Sequence, residues 1–175
     1  MQLKDATSLI HHENFQPGGK QLWADLGCGS GLFTKALAGI LQPQSIIYAI
    51  DTNLSALNKV ATFNNVDIVT RQVNFVTDDL NLSNLDGILM ANSFHYVKNK
   101  RELLQKLQTD LKDDHSFLVI EYDTDKPVST WVPFPISFAS LKNMFAGLGY
   151  TSIIKMNERP SIYHGGNIYS AIIKR

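Results

Sequence analysis

The sequence predicts an α/β domain built on an open, mostly parallel seven-stranded sheet, with helices on both faces and an antiparallel last strand. Three observations predict it. Short apolar runs alternate with amphipathic segments, the first run ends in an acid and a glycine-rich loop, and the last two runs flank a glycine turn. At 175 residues the chain is expected to form one domain over 1–175, large enough to cover both faces of a central sheet.

The elements follow in order. Residues 1–19, which end in Gly18-Gly19, are expected to form a short cap or lid. Trp23-Ala24-Asp25-Leu26 makes a buried strand leading into Gly27-Cys28-Gly29-Ser30-Gly31, and residues 32–41 continue with helical periodicity. Residues 46–50 form a second apolar strand ending at Asp51. Leu54, Leu57, Val60 and Ala61 recur at helical spacing, residues 67–72 are rich in β-branched side chains, and residues 85–91 make a fourth strand. Leu103, Leu104, Leu107 and Leu111 share one helix face, and 116–122 form a strongly apolar strand. Helical connections between strands favour right-handed crossovers and parallel pairing. Phe138, Leu141, Phe145 and Leu148 give a last helix stopped by Gly149, placed as a left-handed cap. Strands near 151–156 and 167–173 close the chain, joined by Tyr163-His164-Gly165-Gly166, which reads as a hairpin turn.

Composition narrows the function. Sixteen basic and sixteen acidic residues balance to zero net charge, with no basic run to provide a nucleic-acid footprint, so a small-molecule partner is expected. The single cysteine, Cys28, excludes an internal disulfide, and neither a signal pattern nor an apolar run of membrane-spanning length is present. A cytoplasmic protein without membrane attachment is expected. His11-His12 lacks a third ligand at recognisable spacing, so no metal site is expected.

The glycine loop carries the chemistry. Glycine permits positive φ and lets backbone amides approach a ligand with no Cβ in the way, which suits a nucleotide. The dinucleotide fingerprint G-x-G-x-x-G is not met, because Leu32 occupies its third glycine position, and a carboxylate at Asp25 would stand close to a pyrophosphate. Asp25 suits a cation better. An apolar strand, an acid and G-x-G-x-G, as in Asp25, Gly27, Gly29 and Gly31, resemble the first motif of class I S-adenosylmethionine-dependent methyltransferases. Asp51, ending the second strand 20 residues beyond Gly31, has the position of a ribose-binding carboxylate, with a helix N-cap as its alternative role.

The resemblance covers residues 22 to about 155 and is nearest to the small-molecule branch similar to ubiquinone and menaquinone C-methylating enzymes. It implies a Rossmann-like sheet, S-adenosylmethionine as cofactor and S-adenosylhomocysteine as product. It also implies a cofactor site made of Asp25, Gly27, Cys28, Gly29, Gly31, Asp51, Thr52, Asn74, Phe75 and Asn92. Asn74 stands where the family usually places an acid that accepts from the adenine amine, and Phe75 would cover the base edge. An asparagine carbonyl accepts without charge, so weaker adenine binding is expected. Ala91-Asn92-Ser93-Phe94-His95-Tyr96 resembles the family's segment after the fourth strand, with Tyr96 replacing a second histidine; Asn92 would lie near the methionyl end.

Methyl transfer from a sulfonium is an in-line displacement that needs few catalytic groups, although a hydroxyl acceptor requires a base. The candidates are His95, Glu121, Tyr122 and Asp123. Each has a bland alternative: His95 as a packed strand-end histidine, and the other three as strand-end solvation and packing. Cys28 reads as a small filler rather than a nucleophile. The segment 131–135, Trp-Val-Pro-Phe-Pro, would roof the acceptor or seal a sheet edge. The short N-terminal region leaves room for a cap from a second subunit, hence a possible homodimer. The competing expectation is a catalytically inactive module that binds S-adenosylmethionine or S-adenosylhomocysteine for regulation or interaction.

Overall fold

The structure is a computed structural model that describes residues 1–127, 131–161 and 166–175. Seven strands form one sheet: β1 (Leu22–Leu26), β2 (Ile46–Asp51), β3 (Asp67–Gln72), β4 (Leu85–Ala91), β5 (Leu111–Tyr122), β6 (Ser152–Pro160) and β7 (Asn167–Lys174). Their order is β3-β2-β1-β4-β5-β7-β6. The first five pair in parallel, and β7 runs antiparallel between β5 and β6. This is the predicted Rossmann-like architecture. The turn expected at 163–166 lies, apart from Gly166, outside the described residues.

Five helices accompany the sheet among the described residues: α1 (Leu3–Ile10), α2 (Leu32–Ala38), α3 (Leu54–Leu57), α4 (Lys100–Leu107) and α5 (Phe138–Ala146). Each face has its own core. Ala6, Leu9 and Ile10 of α1 join Phe33, Ala36 and Leu37 of α2 against Trp23, Ile47 and Leu118. On the other face Leu103, Leu104 and Leu107 of α4, with Leu141 and Phe145 of α5, pack on Ile88, Met90, Phe117 and Val119. The alternation of these strand residues between faces follows from the period of two.

Several elements differ from the bounds expected from sequence, for physical reasons. The helix expected over 54–61 is only α3, four residues long, because Leu57 alone is buried while Leu54 is 54% exposed. Strand β5 begins at Leu111, which was expected on a helix face. Leu111 pairs with Leu85, and the pairing then resumes at Gly87 with Ser116, so the polar residues 112–115 are carried in a bulge of the strand. Helix α5 ends at Ala146, three residues before Gly149, although Gly149 does take a positive φ of 88°. Strand β6 continues to Pro160 because its pairing with β7 extends that far.

Residues 1–19, expected as a cap, place α1 alongside α2 and the sheet edge. Asn157 Nδ2 donates to the carbonyls of Ser8, Leu9 and His11, and Arg159 pairs with Asp5 at 3.3 Å.

Where β1 meets β4, Trp23 faces Gly87. A Cβ on Gly87 would stand 2.4–2.6 Å from three atoms of the Trp23 ring, which is itself 1% exposed. Gly87→Ala should therefore destabilise the fold by about 1–3 kcal/mol through overpacking. Urea unfolding checks this, and an unchanged midpoint would show that the indole has room to move.

Candidate functional site

Open α/β sheets bind ligands beyond the C-terminal ends of their strands, where strand order reverses. Here that point lies between β1 and β4. The β1 tail turns through Gly27–Gly31 into α2. The Gly27 and Cys28 amides both donate to the Ile50 carbonyl, at 2.8 and 3.0 Å. Gly27 needs to be glycine, because a Cβ there would lie 2.5 Å from Ser93 Cβ. Gly29 takes φ +53° and has open space where a Cβ would project, so the loop crest is bare backbone.

Asp51 at the end of β2 organises the loop. Its Oδ2 accepts the Gly29 N–H at 2.8 Å, and its Oδ1 accepts the Asn53 N–H at 2.8 Å. The N-cap role weighed for Asp51 belongs instead to Asn53, whose Oδ1 accepts from Ala56 at 3.2 Å. Each Asp51 oxygen keeps lone-pair capacity for a further donor.

A cavity of about 490 Å³ opens beside this loop, lined by Gly27, Asp51, Thr52, Asn74, Phe75, Val76, Thr77, Asn92, Ser93 and Tyr96. Six of the candidates read from the sequence are thereby brought together: Gly27, Asp51, Thr52, Asn74, Phe75 and Asn92. Four others stand behind them. Asp25 is 1% exposed, and its Oδ2 accepts the Thr34 hydroxyl at 2.5 Å. Cys28 is buried, with its thiol turned to the Gly29 carbonyl, and burial pushes its pKa up, which fits a filler and not a nucleophile. Gly29 holds the crest, and Gly31 caps α2 against Val60.

The lining residues that sequence reasoning missed have different origins. Ser93 donates to the Leu26 carbonyl at 2.5 Å and so clamps the tails of β1 and β4 together; adjacency to Asn92 was the available signal. Val76 and Thr77 lie in the irregular segment after β3, where no periodicity marks them.

Among the described residues only two buried side-chain oxygens or nitrogens lack a hydrogen-bond partner, Asp25 Oδ1 and Asn92 Oδ1. Both lie at the strand tails that flank the cavity. Asn92 also takes φ +53°, a conformation asparagine tolerates and one that recurs at binding sites. Unpartnered acceptors cost stability unless a ligand donor meets them. Of the two only Asn92 lines the cavity, where its Oδ1 and the Asp51 carboxylate make an acceptor-rich wall. That donor set fits a molecule carrying hydroxyl donors at one place and a cationic, N–H-bearing group at another.

Beside the cavity the base candidates separate. His95 and Glu121 form a buried pair, 3% and 0% exposed, with Nδ1 2.7 Å from Oε2. Glu121 Oε1 also accepts the His95 backbone N–H at 3.0 Å. The His95 ring lies 4.3 Å from that of Tyr96, a cavity residue, and 5.9 Å from that of Tyr122. Asp123, by contrast, is engaged as its packing alternative describes. Its Oδ1 accepts the Phe138 N–H at the start of α5 and its Oδ2 pairs with Lys155 at 3.0 Å, so both oxygens serve the fold.

The segment expected to roof the acceptor is tied to this pair. Phe134 N–H donates to the His95 carbonyl at 3.0 Å, and Lys100 Nζ bridges the carbonyls of Val97 and Phe134 at 2.8 and 2.5 Å. Burial lowers the Lys100 pKa to about 8.

Comparison with known proteins adds to this geometry. The sequence profile described as "Methyltransferase domain" matches residues 24–114, from β1 into the start of β5. No curated protein matches the sequence. Among similar solved structures, the CurJ carbon methyltransferase superposes with a TM-score of 0.69 at 15% identity, over 93% of this chain and 50% of that one. The chain thus spans half the length of that protein. The 1,6-didemethyltoxoflavin-N1-methyltransferase of Burkholderia thailandensis, solved with 1,6-didemethyltoxoflavin and S-adenosylhomocysteine, gives 0.69 at 14% identity over 99% and 77% of the two chains. Magnesium protoporphyrin IX methyltransferase of Synechocystis PCC 6803, solved with S-adenosylmethionine, gives 0.65 at 13% identity over 98% and 76%. At these identities the likeness is one of fold.

Asp25 generates a test of the site's electrostatics. Burial raises its pKa from 3.8 to about 7, only partly offset by the Thr34 hydrogen bond. The folded state then keeps a proton that the unfolded chain releases near pH 4, so this residue's contribution to stability is full below that pH and is lost as the pH rises to about 7. Asp25→Asn removes the dependence. The variant should gain on the parent between pH 4 and 7, by up to roughly 4 kcal/mol, in urea unfolding at matched pH. Parallel pH profiles would show that Asp25 is ionised in the fold throughout.

Proposed function

The chain belongs to the methyltransferase domain family, as a class I S-adenosylmethionine-dependent enzyme, and we propose that it methylates a small-molecule acceptor. The observation that carries this reading is the convergence on one cavity of the Asp51 carboxylate, Gly27 of the glycine loop, Phe75 and Asn92 with its unpartnered Oδ1. Similar folds include enzymes named for 1,6-didemethyltoxoflavin and magnesium protoporphyrin IX, and the balanced charge of this chain fits an acceptor of that scale better than a nucleic acid.

In this reading the residues divide the work. Asp51 accepts the ribose hydroxyl protons on the lone pairs not used by Gly29 and Asn53. Phe75 lies along the base, and Asn92 Oδ1 accepts from the methionyl ammonium. When bound, S-adenosylmethionine supplies a methyl group on a sulfonium that needs no further activation. The protein aligns the acceptor behind that methyl group and excludes water, with Tyr96 and the Phe134 segment at the mouth. A cytoplasmic setting suits a chain whose one cysteine is buried.

His95 serves as the base for an acceptor that must lose a proton. Glu121 accepts from Nδ1–H and from the backbone N–H, which holds the ring in the tautomer whose Nε2 lone pair is available. The acceptor's proton passes to Nε2 and the electron pair it leaves forms the new bond to the methyl carbon, while the carbon–sulfur bond breaks and its pair stays on sulfur, giving the neutral thioether S-adenosylhomocysteine. Glu121 then balances the imidazolium, the part a positioning carboxylate plays in a triad.

Transfer of labelled methyl from S-adenosylmethionine to hydroxyl, amine and activated-carbon acceptors tests the reading. Turnover is expected with at least one acceptor class. Saturable cofactor binding without turnover across all three classes would contradict it and favour an inactive binding module. His95→Gln and Glu121→Gln should lower kcat by about a hundredfold on a hydroxyl or carbon acceptor, with the cofactor KM unchanged. Equal activity of parent and variants on such an acceptor would remove the base role.

A further inference from the structure

Asn74 presents more than the acceptor its position suggests. It follows β3 and lines the cavity, but its Oδ1 accepts the Val76 N–H at 3.1 Å. Because that partner is a donor, the oxygen of the amide must take this side, and Nδ2 takes the other. Other groups of the turn are bonded within it. The Asn74 carbonyl accepts from Thr77 and Asp78 at 3.1 and 2.8 Å, its N–H donates to Asp78 Oδ2 at 3.1 Å, and the Thr77 hydroxyl donates to Asp78 Oδ1 at 2.8 Å. Turning the side-chain oxygen outward would break the Val76 bond. Beyond the turn the side chain therefore offers an NH₂ donor beside the one lone pair that Oδ1 keeps, a donor that the expected acceptor role does not include.

The two purines that differ at C6 read such a donor differently. Adenine presents a donor at C6 and an acceptor at N1, whereas a 6-oxopurine presents an acceptor at C6 and a donor at N1. A carboxylate only accepts, so it selects the adenine amine and repels a 6-oxo group. An amide NH₂ makes one hydrogen bond with either base, to adenine N1 or to the 6-oxygen. Phe75, buried beneath, and Val76 add apolar contact that does not distinguish the two rings. Resting on the S-adenosylmethionine reading, we propose that Asn74 is a specificity-determining residue that makes the base subsite tolerant of a 6-oxopurine. S-inosylhomocysteine then binds about as well as S-adenosylhomocysteine.

Asn74→Asp is the matched variant. It keeps an oxygen for the Val76 N–H and exchanges only the outward NH₂ for a second oxygen. Repulsion from the Asp78 and Asp51 carboxylates acts on both complexes and cancels in the ratio of affinities. Calorimetric titration of both ligands into the parent should give Kd values within about threefold of each other, and into Asn74→Asp a preference for S-adenosylhomocysteine of at least about tenfold, the worth of one hydrogen bond gained or lost. A tenfold preference in the parent that the variant leaves unchanged would overturn the proposal while sparing the cofactor reading. Binding of neither ligand to the parent would overturn the cofactor reading itself.

Discussion

The site depends on one carboxylate. Asp51 joins the tail of β2 to the crest of the glycine loop through Gly29 and to the start of α3 through Asn53. Three loop glycines at positive φ have little reason to settle in one geometry on their own. The Ile50 carbonyl below and the Asp51 oxygens above supply that reason. The same oxygens line the cavity, so the residue that shapes the loop is also placed to meet a ligand. Losing it would disturb the frame and the binding surface together.

A second theme is stability given up at the strand tails. Asp25 sits unpaired at one oxygen, held partly protonated by burial. Asn92 carries a left-handed backbone and an unpartnered carbonyl oxygen. Elsewhere the described core satisfies its polar groups: His115 with Tyr150, Tyr169 with Ile136, and Ser170 with Leu9. Local rules are thus broken where β1 and β4 diverge, the place where this architecture leaves a crevice. The His95–Glu121 pair lies one layer outward, fully satisfied on the side that faces the sheet, and it anchors the segment carrying Phe134.

Much of the fold was legible because buried parallel strands are short, continuous apolar runs, and each of the seven runs became a strand. Bounds were lost where pairing overrode local pattern. Leu111 continues a helical apolar face in sequence, yet Leu85 draws it into β5. Six of the ten lining residues were visible, among them strand-tail positions such as Asp51 and Asn92, since topology alone sends those residues to one edge. Val76 and Thr77 were not, because an irregular segment carries no period. Nor could sequence tell that Asp123 caps α5 while Glu121, two residues earlier, reaches His95. Alternation sends neighbours in a strand to different faces, but the partner across 26 residues is decided by the register of β4 and β5. The orientation of the Asn74 amide belongs to the same class, since a single backbone donor decides it.

The proposed binding site for the S-adenosyl group is the Asp51-braced loop together with the strand tails of β1 and β4. Its most direct test is calorimetric titration of S-adenosylmethionine and S-adenosylhomocysteine into the parent and into Asp51→Ala, with the fold of each checked by circular dichroism. The account requires binding to the parent near the micromolar range, about −8 kcal/mol, and a loss of about a hundredfold in the variant. Equal affinity of a folded Asp51→Ala for both ligands would contradict it.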